Sequence, residues 1–211
     1  MGTRDNDWRA LHGGLLLACL PLPLFFRQLA TWPWFLLAPL LAYTAIVLLV
    51  PPLRRSVNWL HVGRLDRTVL AITAGIVFIV SATLLTFDWL VRPDLSLLRV
   101  HIPVATGVLL LVAGAGFSLL NAVMEEVMYR GILLDALASQ IPTIVAVAAQ
   151  AMVFGAAHYQ GYPPGALGAV LAGIYGLVLG LLRNWTRGLA APVIAHVLAD
   201  ATIYGIVVTR D

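Results

Sequence analysis

Two carboxylates stand side by side in an apolar part of this chain. Glu125 and Glu126 are its two glutamates, and both lie inside a long hydrophobic stretch. Glutamate is normally a surface residue, and a carboxylate at membrane depth costs a few kcal/mol by insertion scales. Such residues are usually functional. We therefore predict that this pair forms the reactive centre of the chain.

On a helix the two glutamates point in different directions. Glu126 and Arg130 are four positions apart and share a face, so they can form an ion pair. Glu125 is rotated by about 100° and shares its face with Asn121 and Tyr129. We predict that Arg130 neutralises Glu126, and that Glu125 faces a cavity as a general acid or base. The alternative is a purely structural salt-bridge cluster.

Two later segments repeat polar or aromatic residues every four positions, which places them on one helix face. These residues are Gln150, Phe154 and His158 in one segment, and His196, Asp200 and Tyr204 in the other. Simpler interpretations stay open. His158 would then be an interfacial residue at a helix end, and His196 would form a structural hydrogen-bonded pair with Asp200.

Together the three segments supply a carboxylate, two imidazoles and a second carboxylate. Glu125, His158, His196 and Asp200 could activate water and stabilise an oxyanion. The same four side chains could instead bind zinc, for which imidazole and carboxylate are good ligands. The chain has no His-Glu-x-x-His or Gly-x-Ser-x-Gly motif. Cys19 is distant in sequence from both histidines, so a nucleophilic serine or cysteine has little support.

The three motifs resemble those of the CPBP intramembrane proteases, the family of CAAX prenyl endopeptidases and bacteriocin-processing (Abi) proteins. They are Glu-Glu-x-x-x-Arg (Glu125, Glu126, Arg130), Phe-x-x-x-His (Phe154, His158) and His-x-x-x-Asn/Asp (His196, Asp200). The resemblance covers residues 105–208, in the family's order. The N-terminal half matches only as generic membrane helices.

The resemblance implies a peptide-bond hydrolase that works within the membrane. Glu125 would activate water with help from His158, while His196 and Asp200 would stabilise the oxyanion or complete the water site. The supporting residues would be Glu126, Arg130, Phe154 and Asn121. We favour a mechanism without a cofactor, with a divalent metal such as zinc as the alternative. Asp200 stands where the motif often has Asn, and an ionised Asp cannot donate a hydrogen bond. It would therefore carry a proton or orient His196.

The elements that position these residues are predicted to be membrane helices. The chain is 61% hydrophobic and 11% charged, whereas soluble domains carry about 25% charged residues. Backbone groups in lipid must be satisfied internally, so we predict an all-α transmembrane bundle forming one domain, residues 1–211. Seven segments, or eight, are apolar enough: 11–30, 32–50, 69–90, 103–138, 141–158, 166–183 and 189–208.

Two features of these segments bear on the site. The stretch 103–138 would extend about 54 Å at about 1.5 Å per residue, so it is tilted and bent, or broken near residues 113–125. If segments 141–158 and 189–208 start on the same side, His158 and His196 differ in depth by about 15 Å. Gly176 and Gly180 form a small-xxx-small pair, which predicts tight helix packing.

Charge sets orientation and limits the partners. Four arginines lie in residues 51–68, which predicts a cytoplasmic loop and a cytoplasmic N-terminus. All 13 basic residues are arginine. This bias indicates a bacterial protein, which we therefore place in the cell membrane. The net charge of +3 is spread over loops, so we expect no nucleic-acid partner. We predict that His12, His61, His101 and Asp135 are solvated or interfacial.

The leading hypothesis is an intramembrane endopeptidase acting on a membrane-associated or lipid-anchored protein. Its substrate could carry a C-terminal sorting signal, a leader peptide or a CAAX-like end. A small proton-coupled transporter is an alternative, because buried acids and histidines also form proton relays. The chain shows no inverted repeat, which disfavours that alternative. A non-catalytic membrane binding or immunity protein is a third possibility.

Overall fold

The computed structural model describes residues 3–100, 102 and 106–210, and the regular elements within these ranges are all helical. The first half contains α1 (Thr3–Cys19), α2 (Leu22–Phe25), a 3-10 turn (Arg27–Leu29), α3 (Trp34–Leu49), α4 (Pro51–Ser56), α5 (Arg67–Val91) and α6 (Ser96–Arg99). The second half contains α7 (Val108–Glu126), a π-helical segment (Val127–Leu133), α8 (Leu134–Ala138), α9 (Thr143–Ala157), α10 (Gly165–Thr186) and α11 (Ala190–Thr209). This architecture confirms the predicted helical bundle.

The chain is a multi-pass membrane protein. Within the described residues, five helices are long and apolar enough to cross a bilayer. They are Asp7–Phe25, Arg67–Val91, Val108–Ala138, Gly165–Thr186 and Ala190–Thr209. Two further apolar helices, α3 and α9, have 16 and 15 residues. At about 1.5 Å per residue these two extend only about 22–24 Å, short of a hydrocarbon core of about 30 Å.

The long apolar stretch before residue 138 continues as one helix without a break at residues 113–125. Val108–Ala138 forms a single run of 31 residues, so the alternative of two helices broken there is wrong. The irregular part is the π-helical segment, which begins directly after Glu126. Gly131 within it packs against Trp59, and a Cβ at this position would lie 2.8 Å from Cε3 of the indole. Glycine therefore permits this close approach.

Tight packing between α9 and α10 is confirmed. A Cβ on Gly176 would lie 3.1 Å from Cδ1 of Phe154 and 3.3 Å from the Cα of Ala151. A Cβ on Gly180 would lie 2.9 Å from Cγ1 of Val147. The glycines of α10 therefore let α9 approach closely, and the contact fixes the position of the Phe154 ring.

A polar cluster at the N-terminal end of the bundle corrects two predictions. His12 is 1% exposed, and its Nδ1 pairs with the Tyr43 hydroxyl at 2.6 Å while its Nε2 pairs with Oγ of Ser56 at 2.9 Å. Asp135 is also buried, and Arg9 compensates its charge by donating to both of its carboxylate oxygens. The prediction of solvated side chains was wrong, since α1 packs against α4 and α8. His61 is exposed, as predicted, and His101 lies outside the described residues.

The arginine-bearing loop before α5 is in direct contact with the loop between α10 and α11. The amide of Arg64 donates to the Thr186 carbonyl at 3.0 Å, and the amide of Leu189 donates to the His61 carbonyl at 2.8 Å. Asp66 caps the start of α5 by accepting from the amide of Val69 at 3.0 Å. These bonds tie the beginnings of α5 and α11 together. The cytoplasmic assignment of this side stays a prediction.

Candidate active site

The centre of the site is the carboxylate of Glu125, the second-last residue of α7. This side chain is buried, and its Oε1 accepts from Nδ2 of Asn121 at 3.3 Å. Its Oε2 lies 3.4 Å from Nε2 of His158 and 3.7 Å from Nε2 of His196. Oε2 has no hydrogen-bond partner among the described residues. One carboxylate oxygen therefore faces two imidazoles without forming a direct hydrogen bond to either.

His158 stands at the C-terminal end of α9. Its Nδ1 donates to the backbone carbonyl of Phe154 at 2.8 Å, and since a carbonyl only accepts, Nδ1 carries the proton. Nε2 is then the atom that points toward Glu125. The predicted difference in depth between His158 and His196 was wrong, because both rings reach the same oxygen. Helix α9 is short, and its first residue therefore does not lie at the same depth in the bundle as that of α11.

His196 is held by the adjacent glutamate of the pair. Its Nδ1 donates to Oε1 of Glu126 at 2.7 Å, and the same oxygen accepts from Arg130 at 2.8 Å. The Glu126–Arg130 pair is confirmed, and both side chains are fully buried. That Glu126 also orients His196 was not predicted from the sequence. This bond turns Nε2 of His196 toward Glu125 and Asp200.

Asp200 is connected to Glu125 through one amide. Its Oδ1 lies 3.7 Å from Nε2 of His196, and its Oδ2 accepts from Nδ2 of Asn121 at 3.1 Å. Nε1 of Trp32 approaches Oδ1 of Asn121 at 3.3 Å. An indole N–H only donates, so it fixes which side of the amide faces the carboxylates. Asn121 therefore separates two acidic groups with its NH₂.

The Phe154 ring is the packing centre of the site. Its centroid lies 4.1 Å from that of His158 and 5.9 Å from that of His196. The Arg130 guanidinium carbon lies 4.1 Å from the same ring, which is cation–π geometry. The Tyr129 ring meets it edge-on at 5.0 Å. One buried aromatic side chain thus positions both imidazoles and the arginine.

A cavity of about 310 Å³ adjoins the site. His158, His196 and Asp200 form one part of its wall, and aliphatic side chains of α5, α10 and α11 form most of the remainder. Two lining residues, Ile79 on α5 and Ile174 on α10, are 65% and 56% exposed. Because such apolar side chains belong to the lipid-facing surface, the cavity reaches the bilayer side of the bundle.

The loop after α9 closes one end of this cavity. Tyr162 lines it, and its hydroxyl donates to Oδ1 of Asp88 at 2.9 Å. Burial raises the pKa of the Tyr162 hydroxyl well above its usual value, and the neighbouring Asp88 raises it further. The hydroxyl therefore stays protonated and donates at neutral pH. Asp88 also pairs with Arg210, which joins α5 to the end of α11.

The metal-dependent alternative stays a prediction. Within the described part of the chain, no three His, Cys, Asp or Glu side chains are arranged to hold one ion. Glu125, His158, His196 and Asp200 are the ligands expected if the protein depends on a metal.

Three residues at the site were not predicted from the sequence. Trp32 lies 89 positions before Asn121 in the sequence, and no motif around it indicates a role at the site. Tyr162 lies in a loop. Tyr175 lines the cavity from α10, a helix for which the Gly176–Gly180 pair predicted only tight packing. A hydroxyl in such an apolar helix was the available signal.

Fold and site together define a multi-pass helical membrane protein with an acid–base centre inside the bundle. Residues 107–202 match the model of a protein family, the type II CAAX prenyl endopeptidase Rce1-like family. This match confirms the resemblance to the CPBP/CAAX proteases and indicates a protease. It includes Asn121, Glu125, His158, His196 and Asp200. Searches of curated proteins and of solved structures found no match.

Proposed function

We propose that this chain is an intramembrane endopeptidase that uses Glu125 to activate a water molecule. The proposal is supported chiefly by the position of Oε2 of Glu125, which lies within 4 Å of two imidazole nitrogens beside an apolar cavity. A buried carboxylate oxygen without a direct partner can accept a proton from water. General acid–base catalysis of this kind contributes about 10²–10⁴-fold in rate.

The proposed reaction needs one water and one proton carrier. Glu125 accepts a proton from water while the water oxygen bonds to the scissile carbonyl carbon, and the C=O electron pair moves to the carbonyl oxygen. The C–N bond then breaks, and the amine leaving group takes the proton held by Glu125. The products are a carboxylic acid and an amine. Nε2 of His158 lies close enough to Glu125 to orient the water.

Positioning residues surround this centre. Arg130 holds Glu126, and Glu126 holds Nδ1 of His196. This chain of two short bonds fixes the imidazole before substrate arrives. Preorganised polar groups avoid reorganisation during the reaction, which is why they are effective. Asn121 plays a similar part between Glu125 and Asp200.

The walls of the cavity support a substrate that is embedded in the membrane or anchored to it. They are mostly aliphatic, and the cavity reaches the lipid-facing surface between α5 and α10. A peptide segment embedded in the bilayer, or held there by a lipid anchor, matches this surface. Substrates with a C-terminal sorting signal, a leader peptide or a CAAX-like end all meet this description. We propose that the protein acts in a bacterial cell membrane, with its N-terminus in the cytoplasm.

The test is mass spectrometry of protein termini in host membranes at equal expression. It compares wild type with Glu125→Gln, and with Asp94→Asn as a matched control because Asp94 is an exposed acid outside the site. We expect new termini with wild type and Asp94→Asn, and none with Glu125→Gln. Identical termini in all three membranes would contradict proteolysis and favour the transporter or binding alternatives. Cleavage that a chelator abolishes and zinc restores would instead favour the metal-dependent alternative.

A further inference from the structure

Tyr175 has a buried hydroxyl that the structure leaves unsatisfied. The residue lies on α10 and lines the same cavity as His158, His196 and Asp200. Its ring meets that of His196 edge-on, with centroids 5.9 Å apart. Its hydroxyl oxygen is buried and has no hydrogen-bond partner within residues 3–100, 102 and 106–210.

Such a hydroxyl is costly, which sets Tyr175 apart from other tyrosines of this chain. Leaving a buried donor unsatisfied destabilises the folded state, and most buried polar groups in native proteins are paired. The hydroxyls of Tyr43, Tyr162 and Tyr204 pair with His12, Asp88 and the Leu110 carbonyl, respectively. Packing alone would therefore be served at least as well by phenylalanine at position 175.

The Asn121 amide, another neutral donor at the site, is already bound to Glu125 and Asp200. Ionised Glu125 and Asp200 can only accept, and Nδ1 of His158 and of His196 are already bound to Phe154 and Glu126. A phenol donates readily to an oxygen that carries negative charge. Like Oε2 of Glu125, the Tyr175 hydroxyl is buried and has no hydrogen-bond partner among the described residues.

We propose that Tyr175 is a further catalytic residue, whose hydroxyl donates a hydrogen bond to the oxyanion formed at the scissile carbonyl. This assignment rests on the proposed peptidase function. Attack by water places negative charge on the carbonyl oxygen, the O–H bond of Tyr175 stays intact, and the charge is lost when the C–N bond breaks. Tyr175 on α10 thereby supplies the hydrogen bond to the oxyanion that a protonated Asp200 would otherwise donate. The Asp200 carboxylate instead accepts from Asn121.

The experiment compares Tyr175→Phe with Tyr204→Phe in the full-length protein reconstituted in nanodiscs. Tyr204 is the matched control, because its hydroxyl donates to the Leu110 carbonyl at 3.0 Å and it does not line the cavity. The probe is an internally quenched farnesylated CAAX peptide. If wild type does not cleave it, the probe is a quenched peptide spanning the cleavage site found by mass spectrometry of termini. Initial rates give kcat and KM, and thermal unfolding gives Tm.

We expect Tyr175→Phe to lower kcat about 10²–10³-fold, as loss of one oxyanion donor does, with KM within about twofold of wild type. Its Tm should equal or exceed that of wild type, because the substitution removes an unsatisfied hydroxyl. Tyr204→Phe should show the reverse pattern, a lower Tm with kcat within about twofold. A phosphinate peptide that mimics the tetrahedral intermediate should bind Tyr175→Phe more weakly, in proportion to the loss of kcat.

Two results would overturn the assignment. One is a kcat for Tyr175→Phe within about threefold of wild type while Glu125→Gln is inactive. The other is a loss of kcat accompanied by a lower Tm and by unchanged phosphinate affinity, which indicates a structural role. If wild type cleaves neither probe in a Glu125-dependent manner, the proposed function itself fails, and the Tyr175 assignment fails with it.

Discussion

The protein buries two polar clusters that use their hydrogen-bonding capacity differently. The His12 cluster, made of Arg9, His12, Tyr43, Ser56 and Asp135, joins α1 to α3, α4 and α8. In it, both nitrogens of His12 and both carboxylate oxygens of Asp135 have partners. The Glu125 cluster joins α7, α9 and α11. It is made of Asn121, Glu125, Glu126, Arg130, His158, His196 and Asp200.

The second cluster and the adjacent Tyr175 contain several buried polar atoms that are unsatisfied. Within the described chain, the atoms without a hydrogen-bond partner include Oε2 of Glu125, Oε2 of Glu126, Nε and Nη2 of Arg130, and the hydroxyl of Tyr175. Buried unsatisfied groups are rare in native proteins, and a catalytic role is one of their recognised explanations. The comparison therefore supports our proposal that the first cluster holds helices together and the second one takes part in catalysis.

The largest expected effect comes from removing the charge at the centre of the Glu125 cluster. We expect Glu125→Gln to lower kcat by about 10³-fold or more, because the amide cannot accept the proton of water. Its Tm should change little, since the amide has nearly the same shape. Cleavage rates of the reconstituted protein and its thermal unfolding test this together. Activity within about tenfold of wild type would show that Glu125 is not the general base.

Arg130→Met should reduce both stability and activity. It leaves Glu126 buried without its cation, and breaking such a pair typically costs about 3–5 kcal/mol. His196 would also lose its fixed partner. The measurement is denaturant unfolding in detergent together with kcat per folded molecule. The paired variant Glu126→Gln with Arg130→Met should recover stability, and a failure to recover would show that packing of the guanidinium on Phe154 dominates.

His12→Leu should affect stability alone. It leaves the Tyr43 hydroxyl and Ser56 without their imidazole partner, at a cost of about 1–3 kcal/mol. The kcat of the folded fraction should stay unchanged, because this cluster does not line the cavity. Unfolding free energy and kcat are measured on the same sample. A fall in kcat without loss of stability would contradict the separation of the two clusters.

Trp32→Phe should have the smallest effect. It removes the indole N–H that holds Asn121 but keeps an aromatic ring against Phe117, whose centroid lies 5.2 Å away. One hydrogen bond contributes about 0.5–1.5 kcal/mol, so we expect kcat to fall about 2–10-fold with KM unchanged. Trp34→Phe is the matched control, because Trp34 is exposed. Equal kcat in both variants would show that Trp32 does not position Asn121 for catalysis.

The sequence predicted most of what depends on residues close together in the chain. Helical spacing placed Glu126 beside Arg130 and Glu125 beside Asn121, because side chains four positions apart share a face. The apolar segments predicted the membrane helices, because lipid requires internal hydrogen bonding. Burial of His12 and Asp135 was not foreseen. Their partners Tyr43 and Arg9 come from other helices, and local polarity does not reveal such pairs.

By itself, therefore, the sequence determined the class of fold, the three motif-bearing helices and the pairing of Glu126 with Arg130. Only the tertiary structure decided that His158 and His196 reach the same oxygen of Glu125, because this depends on how α9 and α11 are displaced along their axes. It also brought Trp32 to Asn121 and Tyr175 to the cavity. Local spacing fixes which face a side chain occupies, whereas helix packing fixes what that face meets.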